Sequence, residues 1–273
     1  MLKHSKINLF LAVIIVVSDS YGSEKVAGGV DRFAATGGEY CFVMSDLESG
    51  DLVRKEGDCD IQESPCSTFK IAISLMGFDA EILKNDEIPE FVYQDSYNTE
   101  RDEWKCSHTP KTWIKNSCIW YSQVITSMLG MEKMKKYVSC FAYGNQDLSG
   151  NPGKNDGIRK SWLCSSLRIS PLEQIEFLKK ILQKILPVSD HAYEQTSKLL
   201  YVSDLAHNWK LYGKRGGGIW DGTGRSIGWF VGWVTKEQKT LVFACLVRSN
   251  SRDFLVNSLY AKEKVLNIFD KAL

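Results

Sequence analysis

The chain places its strand-like runs at its two ends and its helix-like runs between them. Near the start, Tyr40-Cys41-Phe42-Val43-Met44 and Asp51-Leu52-Val53-Arg54 read as strands paired across the turn Glu48-Ser49-Gly50-Asp51. After residue 207, Trp209 to Gly213, Ile227 to Val234 and Thr240 to Val247 are β-rich runs split by Gly-rich or charged turns. Asn257 to Ala272 reads as a closing helix. This pattern predicts an α+β fold: an antiparallel sheet built from both chain ends and flanked by helices, with an inserted helical subdomain. The sheet part would cover about 23–65 and 195–273, and the helical part about 66–194.

In the middle, Pro65 opens a helix running from Ser67 to about Met76. It is apolar at nearly every position, the mark of a buried helix. Asp95 to Lys105 is polar and predicts a loop, as does the Gly/Asn/Asp-rich stretch Ser149 to Gly157. Ser117 to Leu129 reads as a second helix, ended by Gly130, and Met131 to Cys140 as a third. Ser170-Pro171-Leu172-Glu173 is a capping box with proline at the first helical position. Ile175, Leu178, Leu182 and Ile185 give that helix its apolar stripe, and Pro187 stops it.

The 273 residues are 44% apolar and 25% charged, a globular composition for one large domain. The net charge of +1 argues against a nucleic-acid partner. Lys3, His4 and Lys6 precede an apolar run, Ile7 to Val17, broken only by Asn8 and followed by small polar residues. Residues 1–22 therefore read as a secretory signal peptide, with cleavage after Gly22 and an uncleaved anchor as the alternative. No later run is apolar for about 18 residues, so no further membrane contact is expected. The mature chain, 23–273, would be an exported, periplasmic monomer or homodimer.

An exported chain meets oxidising surroundings, where its eight cysteines matter. None forms C-x-x-C and the four histidines form no H-x-x-x-H, so no metal site is expected. Cys41 and Cys59 flank the first turn almost symmetrically. If residues 40–46 and 52–58 form a hairpin, the two could pair; buried free thiols are the other reading.

Ser67-Thr68-Phe69-Lys70 is an S-x-x-K motif. Alone it is weak, since about one or two would arise by chance in a chain of this size. Its context is stronger. On a helix, serine and lysine fall on one face, one turn apart. The helix start favours developing negative charge at the serine. A lysine inside an apolar helix is driven toward its neutral form, which can act as a base or react with carbon dioxide.

Further pieces follow in order: Ser117-Cys118-Ile119, Tyr143-Gly144-Asn145, Trp162-Leu163 and Lys214-Arg215-Gly216. With H-T-P-K-T-W at 108–113, W-L-C-S-S-L-R-I-S at 162–170 and G-W-F-V-G-W at 228–233, the chain from about residue 38 onward resembles the class D (oxacillinase-type) serine β-lactamases. The resemblance implies hydrolysis of the β-lactam amide of penicillin-type antibiotics, a small-molecule substrate, with resistance as the outcome. Ser67 would be the nucleophile and becomes acylated. Lys70 would carry a carbamate made from carbon dioxide (N6-carboxylysine) and act as general base. Trp162 would donate its indole N–H to that carbamate. Ser117 would pass a proton to the leaving nitrogen, and Lys214 would supply positive potential near Ser117 and the substrate carboxylate. Backbone N–H groups of Ser67 and Gly217 would form the oxyanion hole, with Gly216 beside it on the strand. Trp113 would wall the substrate cleft. Tyr143, Gly144 and Asn145 would shape the loop beside the site.

Three departures from the family pattern bear on this. Arg215 stands where the family has Thr or Ser; it would either bind the substrate carboxylate or crowd the strand edge and repel Lys214. Arg248 and Arg252 are further candidates for that carboxylate. Ile119 replaces valine beside the lysine, one methylene larger. Cys66 and Cys118 adjoin the two serines, as small apolar fillers or as an oxidation-sensitive site. Two other functions share these motifs. One is a covalent penicillin-binding sensor with slow deacylation, and the other is a relative impaired by Arg215. A cell-wall transpeptidase usually has S-x-N where this chain has S-C-I.

Overall fold

The computed structural model describes residues 38–97, 99, 101–220, 223–250 and 254–272. The signal segment 1–22 and Arg252 lie outside the described residues. Six strands form one antiparallel sheet: β1 (Glu39–Asp46), β2 (Leu52–Glu56), β3 (Tyr201–Asp204), β4 (Lys210–Ile219), β5 (Ser226–Lys236) and β6 (Lys239–Ser249). Their spatial order is β2-β1-β6-β5-β4-β3. The first hairpin joins the last strands through β1 and β6, with Phe42 opposite Cys245. The sheet is thus built from both chain ends, as the pattern predicts.

Strand alternation divides the core in two. On β6, Val242, Ala244 and Leu246 face the helices that lie between β2 and β3. Phe243, Cys245 and Val247 face the opposite way, onto the closing helix α8 (Phe254–Ala272). Ala261, Val265, Ile268 and Phe269 recur at helical spacing and meet them there. Cys41 and Cys59 form a disulfide across the first hairpin, which settles the two readings in favour of pairing. Among the described residues no helix is long and apolar enough to cross a membrane.

The middle of the chain holds α1 (Lys70–Asp79), α2 (Pro110–Asn116), α3 (Ile119–Leu129), α4 (Met131–Phe141), α5 (Gly157–Lys160), α6 (Pro171–Leu182) and α7 (Asp190–Leu200). α1 is enclosed from Lys70 to Phe78, as its all-round apolar character requires. It starts later than expected, because Cys66–Phe69 is a 3-10 turn that places Ser67 before the α-helix. The helix expected from Ser117 to Leu129 is two elements. Ser117 caps α2 in a left-handed conformation (φ 57°), and α3 begins only at Ile119.

The capping box of α6 is present: Glu173 N–H donates to Ser170 Oγ and Ser170 N–H to Glu173 Oε2. Its stripe is Ile175, Leu178 and Ile181 rather than one reaching Ile185. The helix ends at Leu182, Lys184 turns left-handed, and Ile185 is 63% exposed.

Candidate active site

The 3-10 turn and the first turn of α1 put Ser67 and Lys70 on one face. Lys70 Nζ donates to Ser67 Oγ at 3.1 Å. Lys70 is wholly buried, and among the described residues no carboxylate pairs with it. Burial pulls its amine down from 10.5 to about 8, an effect that nearby Cys118 and Cys66 partly oppose.

A second lysine–serine pair faces the first. Lys214 on β4 donates through Nζ to Ser117 Oγ at 3.0 Å and to the Arg215 carbonyl at 3.0 Å. Burial, followed by the charges of Lys70 and Arg215, holds Lys214 well below the usual lysine range. The left-handed junction at Ser117 aims its hydroxyl back at β4.

β4 lies against the nucleophile turn. A Cβ at Gly216 would stand 2.9 Å from the Pro65 carbonyl oxygen and 3.0 Å from Thr68 N, so the strand can approach this closely only without a side chain there. Ser67, Ser117, Ile119, Lys214, Gly216 and Gly217 all border one cleft of about 1530 Å³.

Trp162 is fully buried and its ring packs on Phe69, 5.5 Å between centroids. Among the described residues its Nε1 has no hydrogen-bond partner. Ser64 anchors the Trp162 loop: its Oγ donates to the Trp162 carbonyl at 2.8 Å and accepts from Cys164 N–H at 2.9 Å. Asn145 holds the same loop further on, accepting from Arg168 N–H and donating to the Ser166 carbonyl. Tyr143 meets Phe69 edge-on at 5.1 Å. The Tyr143–Asn145 turn therefore supports the loop beside the site, as the motif implies.

Two expected contributors lie elsewhere. Trp113 does not wall the cleft; it is fully buried, donates to Ser122 Oγ at 2.8 Å and stacks on Tyr121. Tyr97, Trp104 and Trp120 border the cleft instead. Tyr97 and Trp104 sit inside the polar run 95–105, where two aromatic residues among charges were the available signal. Arg248 is also outside the cleft. It lies opposite Glu39 at the β1–β6 pairing and bonds that carboxylate at 3.1 Å.

Arg215 lies one residue beyond Lys214, on the other face of β4. Its cross-strand neighbour is Phe230, which belongs to the core under α8. After burial, its charge is what lowers Lys262 of α8. The cleft continues around β4 to include both cations. The charge of Arg215, after burial and Lys70, also lowers Lys214 from the opposite face of the strand.

A buried Ser–Lys pair, a second Ser–Lys pair facing it, and a sheet edge packed on the nucleophile turn define an active-site serine acyl-transfer fold. In agreement, residues 40–271 match the penicillin binding protein transpeptidase domain. The chain is 38% identical to Beta-lactamase OXA-1 of Escherichia coli over 267 residues, 96% of each chain. It is 38% identical to Beta-lactamase OXA-9 of Klebsiella pneumoniae over 233 residues, covering 83% of this chain and 85% of that one. The crystal structure of the OXA-427 class D β-lactamase superposes with a TM-score of 0.80 at 39% identity, covering 86% of this chain and 98% of that one. The chain belongs to the class D serine β-lactamase family.

Proposed function

We propose that this protein hydrolyses the β-lactam amide of penicillin-type antibiotics through an acyl-enzyme on Ser67, and that residues 1–22 direct its 23–273 domain to the periplasm. The observation that carries the reading is the facing of two lysine–serine pairs across one cleft, at 3.1 and 3.0 Å, with Lys70 buried and lacking a carboxylate. Ser67 Oγ bonds to the lactam carbonyl carbon and gives up its proton on the Lys70 side. The amide C–N bond breaks, and its nitrogen takes the proton of Ser117. The Lys214 ammonium releases a proton more readily than an exposed lysine does, so it can replenish Ser117. Ser67 and Gly217 both border the cleft, and their N–H groups would stabilise the developing oxyanion. Lys214 would supply the positive potential that draws in the substrate carboxylate.

The residues present fit a carbamate on Lys70. A buried amine of pKa about 8 offers carbon dioxide far more of its unprotonated form near neutral pH than an exposed lysine does, and among the described residues the indole N–H of Trp162 is a donor without an acceptor. Trp162 and Ser67 would hold that group, which supplies the general base that removes the serine proton and later activates water.

Time-resolved intact mass with benzylpenicillin and bicarbonate tests the reading. An adduct on Ser67 that decays while penicilloate accumulates supports it. An adduct that persists for hours replaces it with a penicillin sensor. Absence of both adduct and product leaves a binding-only relative. N-terminal sequencing of the protein from a periplasmic extract checks the export segment; retention of Met1 would refute cleavage.

A further inference from the structure

Two cysteines meet beside the nucleophile without a part in the chemistry above. Cys66 directly precedes Ser67 and is buried. Cys164, two residues after Trp162, is half-buried and borders the cleft. Their sulfurs lie 3.8 Å apart. Both residues hold left-handed backbone, φ 48° and 49°, a conformation that non-glycine residues seldom adopt. β4 leaves space over the pair only because residue 218 is glycine: a Cβ there would sit 2.4 Å from Cys164 Sγ and 2.9 Å from Cys66 Sγ. Ser64 Oγ touches both residues, accepting from Cys66 Sγ at 3.9 Å and from Cys164 N–H. The fold therefore brings Cys66 to Cys164. Cys118 is fully enclosed, and burial pushes its thiol up to about 12.

We propose that Cys66 and Cys164 are an oxidisable dithiol that closes to a disulfide under peroxide and, when closed, slows acyl transfer at Ser67. The disulfide stands on the geometry of the pair alone; its effect on turnover rests on the function proposed above. Cys164, the more exposed sulfur, attacks one oxygen of hydrogen peroxide as the thiolate. The O–O bond breaks, leaving a sulfenic acid and one water. Cys66 then attacks the sulfenyl sulfur, forming the S–S bond, and the expelled hydroxide takes the remaining thiol proton as a second water. Two thiols lose two electrons and the peroxide gains them; a small dithiol reverses the change. The hydrogen bond with Cys164, with help from Ser64 and the charge of Lys70, holds the Cys66 thiol below its ordinary range despite burial.

Closing the sulfurs from 3.8 Å to about 2.05 Å must move the turn, the loop or both. Ser67 and Trp162 are one and two residues from the bonded positions. A displacement of about 1 Å in such a site lowers a rate by about 10²-fold.

The test treats the full chain, with Cys41–Cys59 intact and Cys66 and Cys164 as thiols, with peroxide and follows mass, disulfide map and benzylpenicillin turnover. The expected protein is about 2 Da lighter, with a non-reducing peptide map joining residues 66 and 164. Its turnover falls at least about tenfold and returns with dithiothreitol. In Cys164→Ser, the link is absent and turnover before and after peroxide agrees. The proposal is overturned if both thiols remain open to alkylation after peroxide. It is also overturned if the mapped link leaves turnover unchanged, or if Cys164→Ser is equally sensitive. A chain that forms the link yet never opens penicillin would keep the dithiol and refute the hydrolase.

Discussion

Enclosing an amine with no carboxylate beside it opposes folding, and Lys70 lies in the middle of the helical core. Its pKa drops from 10.5 in the unfolded chain to about 8 in the folded one. Below about pH 8 the folded state therefore carries a buried charge that the unfolded chain leaves in water. Between about pH 8 and 10.5 the unfolded chain holds the proton and the folded chain does not, so this group makes stability rise with pH across that window. Lys70→Met should then raise stability at pH 7 by on the order of 3 kcal/mol in buffer free of carbon dioxide, while abolishing turnover. Melting curves at pH 7 and pH 10.5 check this: the gain should shrink at the higher pH, and no gain at pH 7 would refute it. Trp162→Phe gives the complementary result. It removes a donor without a partner and keeps an aromatic ring against Phe69, so the melting point should move little. Acyl-enzyme should accumulate, with deacylation slowed by about 10²-fold, as read by intact mass. Unchanged deacylation would mean that the indole N–H has no role.

At the scale of elements, the site depends on how closely β4 approaches the turn before α1. Gly216→Ala would press a methyl on the Pro65 carbonyl and Thr68 N, both backbone atoms that cannot swing aside. Turnover should fall by about 10²-fold while circular dichroism stays unchanged, because the sheet can shift as a unit but the oxyanion geometry cannot. Full activity would show that the strand has slack. Elements with strong periodicity were legible in the sequence. The central strands read as continuous apolar runs because both faces of the sheet are covered, and the Ser170–Glu173 box marks the start of α6. α7 was not legible, since its buried face is Ala192, Tyr193, Thr196, Leu199 and Leu200, half of it weakly apolar. α2 is seven residues long, and its one signal is Thr109-Pro110 with Thr112 completing a capping box. The serine and lysine positions were readable from motifs. The left-handed turn at Ser117, the burial of Trp113 and the meeting of Cys66 with Cys164 depend on packing between distant segments, which no local pattern encodes.

At the scale of the whole molecule, the disulfide and the site stand on separate parts of the sheet. Cys41–Cys59 closes a loop of separation 18 at the β1–β2 edge, whereas the catalytic strand is β4. Replacing both cysteines with alanine should cost about 3 kcal/mol of stability by chain entropy. Turnover at a temperature where the variant stays folded should be unaffected; a matching loss of turnover would show coupling across the sheet.

The pairing of β1 with β6 has a kinetic consequence. Phe42 cannot meet Cys245 until nearly the whole chain exists, a closure over about 200 residues, and contacts this distant in sequence form slowly. The hairpin is different, because its covalent link spans a short loop that can close as soon as the first segment is oxidised. A chain emerging N-terminus first can thus carry a finished two-stranded edge ahead of its core. The last strand made then has a preformed template on which to dock, and assembly is gated by the arrival of the C-terminus.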